Sequence, residues 1–130
     1  MFIDASAFLA ILLLEPDAEE ISDAIEAASH RCTSPLALFE TIAGLMNRKK
    51  LPRAVAEQSV QAVIDSADID ILPITDEIGR LARDAFDRYG KGRGHLAQLN
   101  MGDCFAYACA KSLDLQLLYK GNDFAKTDLA

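Results

Sequence analysis

The stretch Met1-Phe2-Ile3-Asp4-Ala5-Ser6-Ala7-Phe8-Leu9-Ala10-Ile11-Leu12-Leu13-Leu14 decides the class of fold. Met1 to Asp4 reads as a short strand that stops at a carboxylate. Ala5 to Leu14 reads as a largely buried helix, broken at Glu15-Pro16. Outward from this unit the alternation continues. Asp17 to Ser29 carries Ile21, Ala24, Ile25 and Ala28 on one helical face. Arg31 to Thr33 is a brief strand. Ser34 suits an N-cap and Pro35 the first position of a helix to about Asn47. A basic turn follows, Arg48-Lys49-Lys50, and Pro52 opens a helix to about Ala67. Ile69 to Ile74 alternates Asp with Ile and Leu, which predicts the middle strand. Thr75 caps a helix to about Tyr89, and Gly90 to Asn100 is a Gly-rich basic loop. Gly102-Asp103 opens a helix to Leu113, Leu115 to Tyr119 is an apolar strand, and Lys120-Gly121-Asn122-Asp123 leaves it.

Strands alternating with helices predict a parallel sheet with helices on both faces. Ligands of such sheets bind outside the C-terminal strand ends. Asp4 closes the first strand and Asp123 lies just beyond the last.

The chain has 130 residues, 51% hydrophobic and 25% charged, which fits a single globular domain over residues 1–130 and excludes disorder. A formal charge of −7 argues against loose, non-specific nucleic-acid binding. Cys32, Cys104 and Cys109 are odd in number and lack C-x-x-C spacing, so buried packing is expected rather than a disulfide or zinc. The longest apolar run, Ala7 to Leu14, is far below the roughly 20 residues that span a bilayer. No basic stretch precedes it, so a soluble cytoplasmic protein is expected.

Glu40 interrupts Pro35 to Met46, a stretch with no other charge. A carboxylate at or near the core needs a partner, either a distant Arg or Lys or a metal. Asp103 reads alone as an N-cap, Asp4 as a cap of the first helix, and Asp123 as a turn residue. Gathered at one cleft, these carboxylates would raise each other's pKa, and a hard divalent cation would resolve the repulsion. Mg²⁺ suits such ligands and commonly binds through one or two carboxylates plus substrate phosphate. The matching chemistry is phosphodiester hydrolysis by activated water.

Phe2-Ile3-Asp4-Ala5-Ser6-Ala7 resembles the opening motif of PIN-domain ribonucleases. Gly102-Asp103-Cys104-Phe105-Ala106-Tyr107-Ala108 resembles their third motif, and Lys120-Gly121-Asn122-Asp123-Phe124 with Thr127-Asp128 their fourth. Within the family the chain is most similar to VapC-type toxins of toxin–antitoxin modules. The resemblance implies a three-layer α/β/α sandwich with a short, mostly parallel sheet. It implies a Mg²⁺- or Mn²⁺-dependent endoribonuclease with Asp4, Glu40, Asp103 and Asp123 as its acidic quartet. Asp4 and Asp103 would be the most direct metal ligands. Ser6 would support Asp4, and Asn122 would support the last motif. It further implies an RNA substrate, a cognate VapB-type antitoxin and a homodimer. Apolar residues in the helices from Asp17 and Pro52 offer a surface for that dimer. With Ala130 following so soon after Thr127-Asp128, a final strand seen in many relatives is expected to be short or absent.

Gly90-Lys91-Gly92-Arg93-Gly94 follows a helix rather than a strand and carries no full phosphate-loop pattern. Lys91 and Arg93 are instead candidate RNA contacts on a basic rim. His95 falls in the range of a general base, yet a metal-bound water makes one unnecessary. Two other functions compete: a non-catalytic RNA- or protein-binding module on the same fold, and an acidic-pocket phospho-receiver. The receiver needs its Asp at the end of a central strand, and Ile69 to Ile74 ends in Pro73-Ile74-Thr75.

Overall fold

The computed structural model describes residues 1–130. In chain order it holds β1 (Phe2–Ile3), α1 (Ala5–Leu12), α2 (Ala18–Ala27), β2 (Cys32–Thr33), α3 (Pro35–Lys49), α4 (Arg53–Ala67), β3 (Asp70–Ile71), α5 (Asp76–Tyr89), α6 (Met101–Ser112) and β4 (Leu117–Leu118). The strands form one parallel sheet in the order β3-β2-β1-β4. Phe2 is paired with both Cys32 and Leu117, so β1 lies inside the sheet.

Successive strand residues face opposite sides, and Phe2 and Ile3 head separate cores. The Phe2 core includes Cys32, Leu117 and Phe124 and packs on α5 and α6 through Ala82, Ala85, Cys104 and Ala108. The Ile3 core takes Phe8, Ile21, Leu45, Val60 and Ile64 from α1 to α4. The result is the expected α/β/α sandwich. The caps follow sequence chemistry: Ser34 Oγ accepts from the Ala37 N–H at 3.1 Å, and Thr75 Oγ1 from the Ile78 N–H at 3.2 Å.

Four features matter. β3 is two residues long and sits at the sheet edge, not in the middle. Its ladder closes with the Leu72 N–H donating to Thr33 O at 2.9 Å, and Pro73 has no N–H to extend it. Second, α1 stops at Leu12, because Leu14 adopts a left-handed φ of 53° and the Glu15 N–H turns back to Ala10 O at 2.9 Å. Third, no strand follows β4. The tail packs instead on α6: Phe124 is buried, the Tyr107 hydroxyl donates to Asp128 at 2.6 Å, and Lys111 pairs with Asp128 at 2.7 Å. Fourth, Ile21, Ile25, Ala56, Val60 and Ile64 are spent in the core, so α2 and α4 do not offer them as a dimer surface. The three cysteines are buried and unpaired, as expected. No helix is long and apolar enough to cross a membrane.

Candidate active site

Asp4 follows β1 and caps α1, as read from sequence. Its Oδ2 accepts from the Ser6 N–H at 3.1 Å and the Ser6 hydroxyl at 2.6 Å. The Ser6 Oγ in turn accepts from the Lys120 N–H at 2.9 Å. One hydroxyl thus ties the end of β1 to the loop after β4. Asp103 departs from expectation: the N-cap of α6 is Asn100, and Asp103 occupies the third helical position. The two form a reciprocal pair, Asp103 N–H to Asn100 Oδ1 at 2.9 Å and Asn100 N–H to Asp103 Oδ2 at 3.1 Å. Asn100-Met101-Gly102-Asp103 carries that spacing, and it is the signal that would have shown the box.

Glu40 does not form the salt bridge of its first alternative. It is partly buried, yet no Arg or Lys pairs with it and it makes no side-chain hydrogen bond. Its carboxylate lies against Gly102, where an added Cβ would fall 2.6 Å from Glu40 Cδ. Absence of a side chain at Gly102 is what lets α3 and α6 bring Glu40 beside Asp103.

A cleft of about 500 Å³ gathers Asp4, Ser6, Glu40, Asp103 and Asp123 at the C-terminal strand ends. Glu15, Gly44, Arg48, Asn100 and Lys120 also line it, and sequence reasoning named none of these as site residues. Asn122, Lys91 and Arg93 do not line it. Asn122 is an exposed turn residue whose carbonyl accepts from the Ala125 N–H at 3.1 Å, and Arg93 pairs with Asp87 at 2.9 Å. His95 also lies outside, with Nδ1 accepting from the Ala97 N–H at 3.0 Å. A larger cavity, about 760 Å³, opens between α2 and α4. Its charged residues are only Glu26 and Arg31, and the two Nη atoms of Arg31 donate to the carbonyls of Ala67 and Glu26. The chemistry therefore lies in the smaller cleft.

The electrostatics of Asp4, Glu40 and Asp103 are those of carboxylates with no cation paired to them. Burial pushes the Glu40 carboxyl up to about 7, with further contributions from Asp4 and Asp103. Burial likewise raises Asp103 to about 6, against the lowering effect of the Asn100 N–H. Asp4 is raised too, by burial, although its Ser6 bonds oppose the shift. No three His, Cys, Asp or Glu side chains converge closely enough to hold a metal ion among them. A cation here would be held by one or two carboxylates and keep several waters, unlike a four-ligand zinc centre. The donor set fits such an ion: all oxygens, with one oxygen each of Asp4 and Asp103 free of side-chain and capping bonds.

Fold and carboxylate cleft together define the class, an α/β/α nuclease-type domain with its acidic site at the strand ends. A family profile for the PIN domain matches residues 1–129. A VapC ribonuclease of Rhizobium meliloti (strain 1021) is 42% identical, covering 98% of each chain. Ribonuclease VapC28 of Mycobacterium tuberculosis is 38% identical over 98% of this chain and 93% of its own. Among solved structures, VapC20 of Mycobacterium tuberculosis, described as a sarcin-ricin loop cleaving toxin, superposes with a TM-score of 0.76 at 18% identity, covering 99% of this chain and 95% of that one. A toxin–antitoxin complex from Klebsiella pneumoniae gives 0.67 at 18% identity, covering 98% and 92%. The chain belongs to the PIN-domain family, among the VapC ribonucleases.

Proposed function

We propose that this chain is a metal-dependent endoribonuclease, the toxin of a toxin–antitoxin pair, with Asp4, Glu40, Asp103 and Asp123 as its acidic site. The observation that supports this most is Glu40: a partly buried carboxylate with no protein partner, pressed on Gly102 beside Asp103. Mg²⁺ or Mn²⁺, when bound, supplies an activated water and neutralises charge on the scissile phosphate. Asp4 and Asp103 are the direct ligands, each oriented through one oxygen with the other left free. Glu40 and Asp123 complete the site directly or through water. Ser6 fixes both Asp4 and the loop that carries Asp123. Asn122 supports the same loop through its turn. A VapB-type antitoxin, a homodimer and a cytoplasmic location complete the proposal. Leu14, Leu96, Phe39 and Met101, all more than half exposed, are the apolar side chains that such partners would cover. Nothing in the cleft favours the non-catalytic reading, since all the carboxylates are in place.

Lys91 and Arg93 stand outside the cleft and would reach only RNA that extends past it. Charge reversal at both is expected to weaken cleavage of a long RNA and flatten its salt dependence. Unchanged salt dependence would remove them from the RNA path.

Metal binding is tested through stability. Glu40 ordinarily titrates near 4.5 and in the fold near 7, so between those values the folded state holds more protons than the unfolded chain. This contribution is fully present below the lower value and is lost as pH rises through the upper one. The metal-free protein is therefore expected to melt several degrees higher at about pH 5 than at about pH 8. Mg²⁺ or Mn²⁺ is expected to raise Tm more at the higher pH. Equal effects of the cation at both pH values would contradict a site built on Glu40.

A further inference from the structure

We propose that Lys120 and Arg48 form a phosphate-binding pair lining the cleft that holds the carboxylates, held ready by Glu15. The inference rests on the ribonuclease reading and adds to it the residues that hold the RNA backbone. Its ligand is a phosphodiester adjoining the one that is cleaved.

The left-handed turn at Leu14 throws Glu15 back from the end of α1 into the cleft wall. There it meets two cations from distant parts of the chain. Lys120, in the loop after β4, pairs its Nζ with Glu15 and lies 3.5 Å from Asp17 Oδ1. Arg48, in the last turn of α3, lies 3.8 Å from Glu15. Lys120 is placed from two sides, since its backbone N–H also donates to Ser6 Oγ. These are the only basic residues lining the cleft. Every other charged group lining it is a carboxylate, so the cations mark the one stretch of wall where an anionic strand is attracted.

The geometry also explains why the cations pair with Glu15 and not with the quartet. A carboxylate is a fair stand-in for a phosphate oxygen pair. Lys120 and Arg48 both engage Glu15 and neither forms an ion pair with Asp4, Glu40, Asp103 or Asp123, leaving those oxygens to a metal ion. Neither cation is deeply buried, with side-chain exposures of 32% for Lys120 and 59% for Arg48, so both remain open to exchange Glu15 for a phosphate. A purely structural role would instead make the Lys120–Glu15 pair a tether between the last loop and the end of α1.

The two roles differ in sign at Glu15. RNA binding is read by fluorescence anisotropy with a short labelled single-stranded RNA of mixed sequence, across a salt series. The protein carries Asp4→Asn so that the probe is not cut. With Lys120→Gln, affinity is expected to fall about tenfold and the salt slope to flatten by roughly 0.7 per lost contact on a single strand. Lys120→Arg should restore both. Glu15→Gln releases the cations and is expected to tighten binding about two- to threefold, whereas a tether would make it weaken binding as Lys120→Gln does. In the otherwise unaltered enzyme, Lys120→Gln should raise KM far more than it lowers kcat. A salt slope unchanged by Lys120→Gln, weaker binding by Glu15→Gln, or no measurable binding by the Lys120-intact protein would each overturn the pair. Lys120-dependent binding of RNA that the unaltered protein never cleaves would instead overturn the ribonuclease reading and leave the pair standing.

Discussion

Asp103→Asn is expected to slow RNA cleavage by roughly a thousandfold while raising the Tm of the metal-free protein. Both effects come from one carboxylate. A catalytic metal contributes several kcal/mol to the transition state, and about 1.4 kcal/mol is a tenfold change in rate, so a displaced ion is worth about three decades. Stability moves the other way. Burial has raised the Asp103 carboxyl to about 6, so at neutral pH its ionised form is held against its preference. An amide carries no such charge and can still accept from the Asn100 N–H, which preserves the cap of α6. The solvent at the mouth of the cleft screens part of the effect, leaving on the order of 1 kcal/mol, or a few degrees in Tm. The comparison is a melting curve in EDTA beside a cleavage assay in Mg²⁺. A variant that loses both activity and stability would show Asp103 to be structural.

Gly102→Ala is expected to cost about a hundredfold in activity with little change in stability. The new Cβ would fall on the Glu40 carboxylate, 2.6 Å from its Cδ and 2.7 Å from Oε1. Those atoms are the end of a flexible side chain, so Glu40 swings away and the helix survives. Alanine in a helix is about 1 kcal/mol more favourable than glycine, which offsets the displacement. Catalysis is less tolerant, since a shift of about 1 Å in a reacting or ligating group can cost a hundredfold. Full activity in Gly102→Ala would show that the Glu40 position is not used.

Asp4 and Glu40 were legible because each breaks a local pattern, whereas Asp103 and Asp123 read alone as cap and turn and entered through the family resemblance. Asp4 ends an apolar strand, and Glu40 is the one charge in Pro35 to Met46. The parts that were not legible depend on where distant segments meet. Nothing near Lys120 in sequence indicates that it pairs with Glu15, 105 positions earlier, or that Ser6 joins them. Sheet order is of the same kind. The alternation in Ile69 to Ile74 is a real strand signal, yet it does not say that the strand lies at the edge beside β2. Asp103 was misplaced by three positions because Gly102 suggested a helix start, while Asn100 supplies the stronger cap. The charge arithmetic also changes meaning. A net −7 still disfavours loose RNA binding, but five of the acids line one cleft whose only cations are Arg48 and Lys120. Recognition is left to a local arrangement of metal, shape and two basic side chains.

The most direct measurement is RNA cleavage by the purified chain in Mg²⁺ or Mn²⁺, in EDTA, and with Asp4→Asn. The acidic-site account predicts cleavage in the presence of the cation, none in EDTA, restoration when the cation is returned in excess, and near-complete loss in the variant. Cleavage that persists in both EDTA and Asp4→Asn would contradict it.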